Sequence, residues 1–217
     1  MDTQASDLLM WARGPAFDIA LVIFIGGIIL RVVEIIILGR KKDMAPAKGN
    51  PVAQGIKTIF TRSIPREGLV KFAPITYIFH LGFFVAFFFF APHIALFTDA
   101  FGVTWPNAGR VIVESATALA VVALIGLFYS RIADPVRSAL TTWDDYLVLI
   151  LSALPLITGY IAVNKLIGDG QMMLGIHILT VEALMIAFPF TKLMHAVTFV
   201  MARYYNGTIQ GRKGAES

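Results

Sequence analysis

Cysteine is absent from the 217 residues. That excludes disulfides, zinc–thiolate sites, iron–sulfur clusters ligated by this chain and thioether-attached haem. Charge is scarce as well: 15% of residues are charged, 57% are hydrophobic and the mean hydropathy is +0.75. A soluble domain of this length carries more charge and shorter apolar runs. The first fifteen residues, MDTQASDLLMWARGP, hold acids and one arginine and lack the basic leader and short apolar core of a cleavable signal peptide. Internal repeats are missing, and the sole low-complexity tract is FFVAFFFF at 83–90, which reads as a lipid-facing or packing run. The net charge of +4 does not point to nucleic acid, because the basic residues cluster between apolar segments, where they act as topology signals.

What is present is a series of long apolar stretches. The expected fold class is an all-α membrane protein: a five-transmembrane-helix bundle forming one domain over 1–217. The spans fall at about 16–38, 72–97, 111–131, 144–166 and 173–201, each with the roughly 20 apolar residues a crossing needs. The last is longer and must tilt or project from the bilayer. Short connections after spans two, three and four predict antiparallel neighbours. Thirteen Lys and Arg fall in the loop 39–71, the loop near 131–143 and the tail, against three (Arg13, Arg110, Lys165) on the other side. The positive-inside rule makes the crowded side cytoplasmic, with the N-terminus outside and the C-terminus inside. The expected location is therefore a multi-pass protein of a prokaryotic cytoplasmic (inner) membrane, with the lipid bilayer as its surroundings and no nucleic acid as partner. Within the loop 39–71, VAQGIKTIFTRSI predicts a short amphipathic helix lying on the membrane. Two readings stand for that loop: a docking surface for a cytoplasmic partner, or a contact with lipid headgroups.

Four histidines are spread over these spans: His80 and His93 in span two, His177 and His195 in span five. An ionisable residue inside a membrane is costly and marks function. Eighteen residues separate His177 from His195. At about 100° and 1.5 Å per residue, one continuous helix puts both rings on one face, roughly 27 Å apart. Opposite chain directions in spans two and five match His80 with His195 toward the cytoplasm and His93 with His177 toward the outside. That is the ligand count for two bis-histidine b haems stacked across a membrane, a closed coordination suited to electron transfer. His93 sits thirteen residues after His80, rotated about 220° from it in an ideal helix. A kink at Pro92 would bring it back; otherwise it is an interfacial histidine.

Three stretches carry a family resemblance: FHLG at 79–82, SALTTWDDYLVLILS at 138–152 after Arg137, and FPFTKLMH at 188–195. They resemble the gamma subunit of respiratory nitrate reductase and its shorter relatives in sulfur-metabolising and heterodisulfide-reductase-like membrane complexes. The resemblance covers spans two to five. It implies a five-helix dihaem cytochrome b that exchanges electrons between membrane quinol and a cytoplasmic iron–sulfur subunit. By that resemblance His80 and His195 hold the inner haem b and His177 is one ligand of the outer. The family places its second span-two histidine near Phe90, so here either His93 takes that role or the outer haem is absent. The family's quinol site uses a basic residue near the start of span three, where WPNAGR places Arg110.

Arg110 can hydrogen-bond a quinone oxygen or simply anchor a helix end, and Glu114, one turn on, can accept protons or pair with it. Arg31 and Glu34 form an intrahelical pair, or Arg31 meets a haem propionate; Arg137 is an equal candidate for the propionate. Glu182, mid-membrane, either receives protons or hydrogen-bonds a neighbouring helix in its protonated form. Lys192 is read as snorkelling to the cytoplasmic face. The competing readings are a haem-free membrane anchor or proton-relay subunit, and a small transporter. No soluble active site is visible, so any enzyme here is a complex of which this chain is one electron-transfer subunit.

Overall fold

The computed structural model describes residues 3–39, 46–61 and 72–215, and among these every regular element is helical. The basic stretch at 40–45 and residues 62–71 of the loop lie outside the described residues. The helices are α1 (Thr3–Trp11), α2 (Phe17–Leu38), α3 (Pro51–Phe60), α4 (Ala73–Phe88), α5 (Ala91–Phe101), α6 (Arg110–Ala133), α7 (Pro135–Leu140), α8 (Trp143–Asn164), α9 (Gly170–Ala187) and α10 (His195–Lys213).

Four stretches are long and apolar enough to cross a membrane: Thr3–Leu38, α6, α8 and Gly170–Phe190; the bent pair α4–α5 makes a fifth if counted as one span. Large aliphatic side chains stand exposed along α2 (Val22, Ile25, Ile29, Ile36) and α6 (Ile112, Leu119, Val122, Ile125). In a bilayer such a surface faces lipid at no cost, while the helices satisfy their own backbone groups.

Span one begins earlier than the expected residue 16. α1 runs into α2 through one widened turn at Ala12–Ala16, where Gly14 leaves helical geometry (φ −112°, ψ −106°) ahead of Pro15. A proline ring clashes with the carbonyl four residues back, and the widened turn relieves that.

Span two is broken. α4 and α5 meet at an angle of 59°. Phe90 is extended (φ −86°, ψ 126°) and Pro92 lies in the first turn of α5, where its missing N–H costs nothing. A break leaves carbonyls unpaired at the end of the first helix. Here each finds a donor: Val85 O takes the Phe89 amide, Phe88 O the Trp105 indole (2.6 Å), and Phe89 O the Ala108 amide (3.1 Å). Ala86 O and Phe87 O are taken by His93.

Span five is broken too, and this corrects the expectation of one helix over 173–201. α9 ends at Ala187; two short 3₁₀ turns, Phe188–Phe190 and Lys192–Met194, flank an extended Thr191 (φ −122°, ψ 179°). Pro189 cannot continue the hydrogen-bond ladder. His177 and His195 therefore stand on different helices, and the eighteen-residue periodicity is not what aligns them.

α6 packs on both α4 and α8, and α8 packs on α9, as the short connections predict. α9 also packs on α1 and α2. Gly82 makes the α4–α6 crossing close: a Cβ there would fall 2.5 Å from the Ala116 carbonyl oxygen. Among the described residues α4 shares no packed seam with α9 or with α10. The amphipathic helix exists as α3, capped by the Asn50 side chain, and α10 is packed along it through Gly55, Gly207 and Gly211. It is one half of a two-helix unit, whose seam buries α3's small face and leaves Val52, Ile56 and Phe60 exposed.

Candidate functional site

The structure brings the four histidines together as two pairs, across helices that do not otherwise pack. His80 and His195 have ring centres 6.2 Å apart with planes crossed at 82°; His93 and His177 are 6.3 Å apart and nearly parallel at 15°. From His177, ten residues of α9 at about 1.5 Å each carry the chain roughly 15 Å before the break that leads to His195, so the pairs sit at two depths.

Every ring is tethered at Nδ1. His80 donates to Thr76 O (2.8 Å), His195 to Lys192 O (2.7 Å) and His93 to Ala86 O and Phe87 O (both 3.1 Å). A carbonyl can only accept, so these three rings carry their proton on Nδ1. His177 Nδ1 lies 3.3 Å from Thr158 Oγ1, a hydroxyl that also meets Leu154 O at 2.7 Å and Thr180 Oγ1 at 3.0 Å. Gly159 makes room for that ring: a Cβ there would stand 3.0 Å from His177 Cε1. With Nδ1 spent, Nε2 of each ring holds a lone pair that no described protein group takes up.

Two lone-pair nitrogens across a gap cannot bond each other. They suit one Lewis acid between them. A metal–imidazole bond of about 2.0 Å, plus about 1.1 Å from ring nitrogen to ring centre, puts trans imidazole centres about 6.2 Å apart. Both pairs match that spacing. Tethering Nδ1–H to a carbonyl is also the arrangement that orients metal-bound histidines. No group of three or more His, Asp or Glu gathers among the described residues, so any metal here would take its remaining ligands from outside the protein.

Aromatic rings line the path between the pairs. Phe79, Phe83 and Phe87 run from His80 to His93 with successive centres 4.9, 6.0, 6.2 and 5.9 Å apart. The FFVAFFFF tract is in this respect a packing run between the two histidine depths.

The charged candidates fall into four places. Arg31 pairs with Glu34 (2.8 Å) and donates Nε to Pro189 O (3.0 Å), so it holds the break before His195. Arg137 lies over the Phe72 ring (3.8 Å) and donates to Ser130 Oγ (2.9 Å); it forms no ion pair among the described residues. Arg110 pairs with Glu114 (2.6 Å) and donates to Asn164 Oδ1 (3.0 Å). Arg110 also lines a cavity of about 250 Å³ with Phe89, Phe90 and Val113, beside the break that carries His93. Glu182 is 4% exposed, and its Oε1 has no hydrogen-bond partner.

Lys192 is half exposed and ion-paired. Its Nζ sits 2.6 Å from Asp145 Oδ2, and Arg131 holds Oδ1 at 3.3 Å. Asp145 went unread in the sequence. The T-x-x-D pattern at Thr142–Asp145 signals a capping box, and both of its bonds are formed. Its ionic partners, fourteen and forty-seven residues away, leave no local trace.

These features define a class: a multi-helix membrane protein with two histidine pairs bridging its interior. The chain is 31% identical over 202 residues to a protein of Nitratidesulfovibrio vulgaris strain Hildenborough, with 88% of each chain covered, and it belongs to the same family as that protein. No family model and no solved structure matches it.

Proposed function

We propose that this chain is the dihaem cytochrome b subunit of a quinone-linked respiratory complex in a prokaryotic cytoplasmic membrane. It would pass electrons between membrane quinol and a cytoplasmic iron–sulfur partner. The observation that carries this is the double pairing of histidines, each with Nδ1 tethered and Nε2 unclaimed, at the spacing of trans imidazoles. His80 and His195 would hold the inner haem b, His93 and His177 the outer. Haem held by two imidazoles supplies a one-electron carrier with no open position for oxygen or substrate.

The protein's own residues do the rest. Nδ1 bonds fix the tautomer that presents Nε2. Arg137, with no acid paired to it among the described residues, is a cation available to receive a propionate. Arg31 is already engaged on both sides. Arg110 lines the apolar cavity beside His93 and offers N–H donors to a quinol oxygen bound there. Glu114 stands within reach to take a proton as quinol is oxidised. With the N-terminus outside, that proton leaves on the outer face while electrons move inward, which makes the step electrogenic. Two depths of carrier shorten each electron step across a bilayer about 30 Å thick.

Glu182 favours a second reading, a haem-free anchor with a proton relay, because a buried carboxyl with an unpartnered oxygen suits proton exchange. A reduced-minus-oxidised visible spectrum, with extracted haem counted per purified chain, separates the two. Two b haems per chain are expected. None would reject the cytochrome reading and move the assignment to the relay.

A further inference from the structure

We propose that Asp145 is the positioning residue for His195: through Lys192 it fixes the carbonyl that accepts the ring's Nδ1–H, and with it the ring plane. This rests on reading His195 as an iron ligand. Lys192 follows the extended Thr191 in a single 3₁₀ turn, so no α-helical ladder holds its carbonyl in place. Yet that carbonyl is the one acceptor tethering His195 Nδ1, at 2.7 Å. What holds Lys192 is its side chain. Nζ is clamped by Asp145 Oδ2 at 2.6 Å and by Thr142 Oγ1 at 3.1 Å.

Asp145 is itself immobile. It is 7% exposed, sits in the first turn of α8, accepts from the Thr142 amide at 2.9 Å and is paired with Arg131. A buried carboxylate is costly unless paired, and here two cations and the cap share it. The result is a line of rigid contacts from the α8 cap, through Lys192, to the Nδ1 of His195. Removing the carboxylate charge frees Lys192 and leaves two cations uncompensated near the inner pair. The ring loses its fixed acceptor, and a reducible centre there gains an electron more easily.

The two pairs provide a control within one molecule. Crossed and parallel imidazoles on low-spin ferric haem give resonance signals of different anisotropy, so the 82° pair and the 15° pair can be read separately. Parent, Asp145→Asn, Lys192→Gln and Lys192→Arg chains are purified. For each, haem is counted, the ferric electron resonance spectrum and midpoint potentials are recorded, and ¹⁵N-histidine spectra are taken on the reduced protein. In Asp145→Asn the strongly anisotropic signal is expected to shift and broaden and its potential to rise. The signal of the parallel pair stays as in the parent. His195 stays Nδ1–H, as a ring bound through Nε2 must, but its Nδ1–H resonance moves upfield and broadens as the hydrogen bond to Lys192 O loosens. Lys192→Gln keeps the α8 cap and the Arg131 pair, and it carries the same Nδ1–H test if Asp145→Asn does not accumulate. Lys192→Arg restores the parental signature.

An unchanged crossed-pair signal and an unchanged His195 Nδ1–H resonance in both Asp145→Asn and Lys192→Gln would overturn the positioning role, with two haems in the parent leaving the proposed function intact. A parent without haem would overturn that function instead. The ¹⁵N spectra would then still decide Asp145's hold on His195: a mixture in the variants supports it, and a single tautomer ends it.

Discussion

At the scale of single residues, the histidines are distinguished less by their type than by what occupies Nδ1. Three rings spend that proton on a backbone carbonyl and the fourth on Thr158, so each presents the same nitrogen to its partner. His195→Ala is expected to lower haem content from two per chain to one and to abolish the crossed-pair signal alone. His177→Ala should do the reverse. Loss of both haems in either variant, with the protein still inserted, would mean that the pairs do not act as separate sites. The pairing itself was legible: four histidines, two spans and opposite chain directions are enough to match depths. The tethers were not, because a carbonyl acceptor has no letter of its own. Asp145 was hidden for a related reason, since its partners Arg131 and Lys192 come from other segments.

Among the helices, the informative events are breaks. Hydropathy averages over a window, so FPFTKLMH reads as continuous span while Pro189 and Thr191 stop the helix. The eighteen-residue periodicity that put His177 and His195 on one helix face therefore fails, while the pairing, which came from chain direction and depth, did not depend on it. The kink invoked at Pro92 is real, but it falls two to four residues earlier, and the carbonyls it frees are what His93 binds. The α3–α10 unit depends on small residues: a Cβ at position 207 would lie 2.5 Å from Thr58 Oγ1 and 2.6 Å from Gln54 O. Gly207→Val is expected to cost about 1–3 kcal/mol through overpacking of that seam. Limited proteolysis near residues 46–61 should accelerate in this variant while the visible spectrum of the membrane-embedded helices is unchanged. Equal cleavage rates in parent and variant would show that the seam does not hold α3.

For the whole molecule, the arrangement is directional. One end carries Arg137 and the His80–His195 pair; the other carries Arg110, the aromatic break and the His93–His177 pair. Arg110→Ala removes the N–H donors at the cavity mouth and touches no histidine. Haem reduction by a quinol analogue should slow at least tenfold, about 1.4 kcal/mol of lost transition-state stabilisation, while dithionite reduction stays complete. Stopped-flow absorbance at the reduced b band checks both, and equal quinol rates would remove Arg110 from the site. An all-helical chain with four or five candidate spans was readable from composition; the lateral order of helices was only partly so, because loop length orders α6, α8 and α9 but says nothing of what packs beside α4.

The absence, among the described residues, of a packed seam between α4 and α9 bears on biogenesis. α4 leaves the ribosome well before α9 and settles on α6, with no seam reserved for its later partner. On the proposed reading, His80 and His93 wait in the bilayer until α9 and the turn at Pro189 arrive, and the prosthetic groups are what latch the halves. A cell short of iron would then insert complete chains that stay unlatched and open to membrane proteases. The abundance of this protein would follow cofactor supply without any change in its transcription.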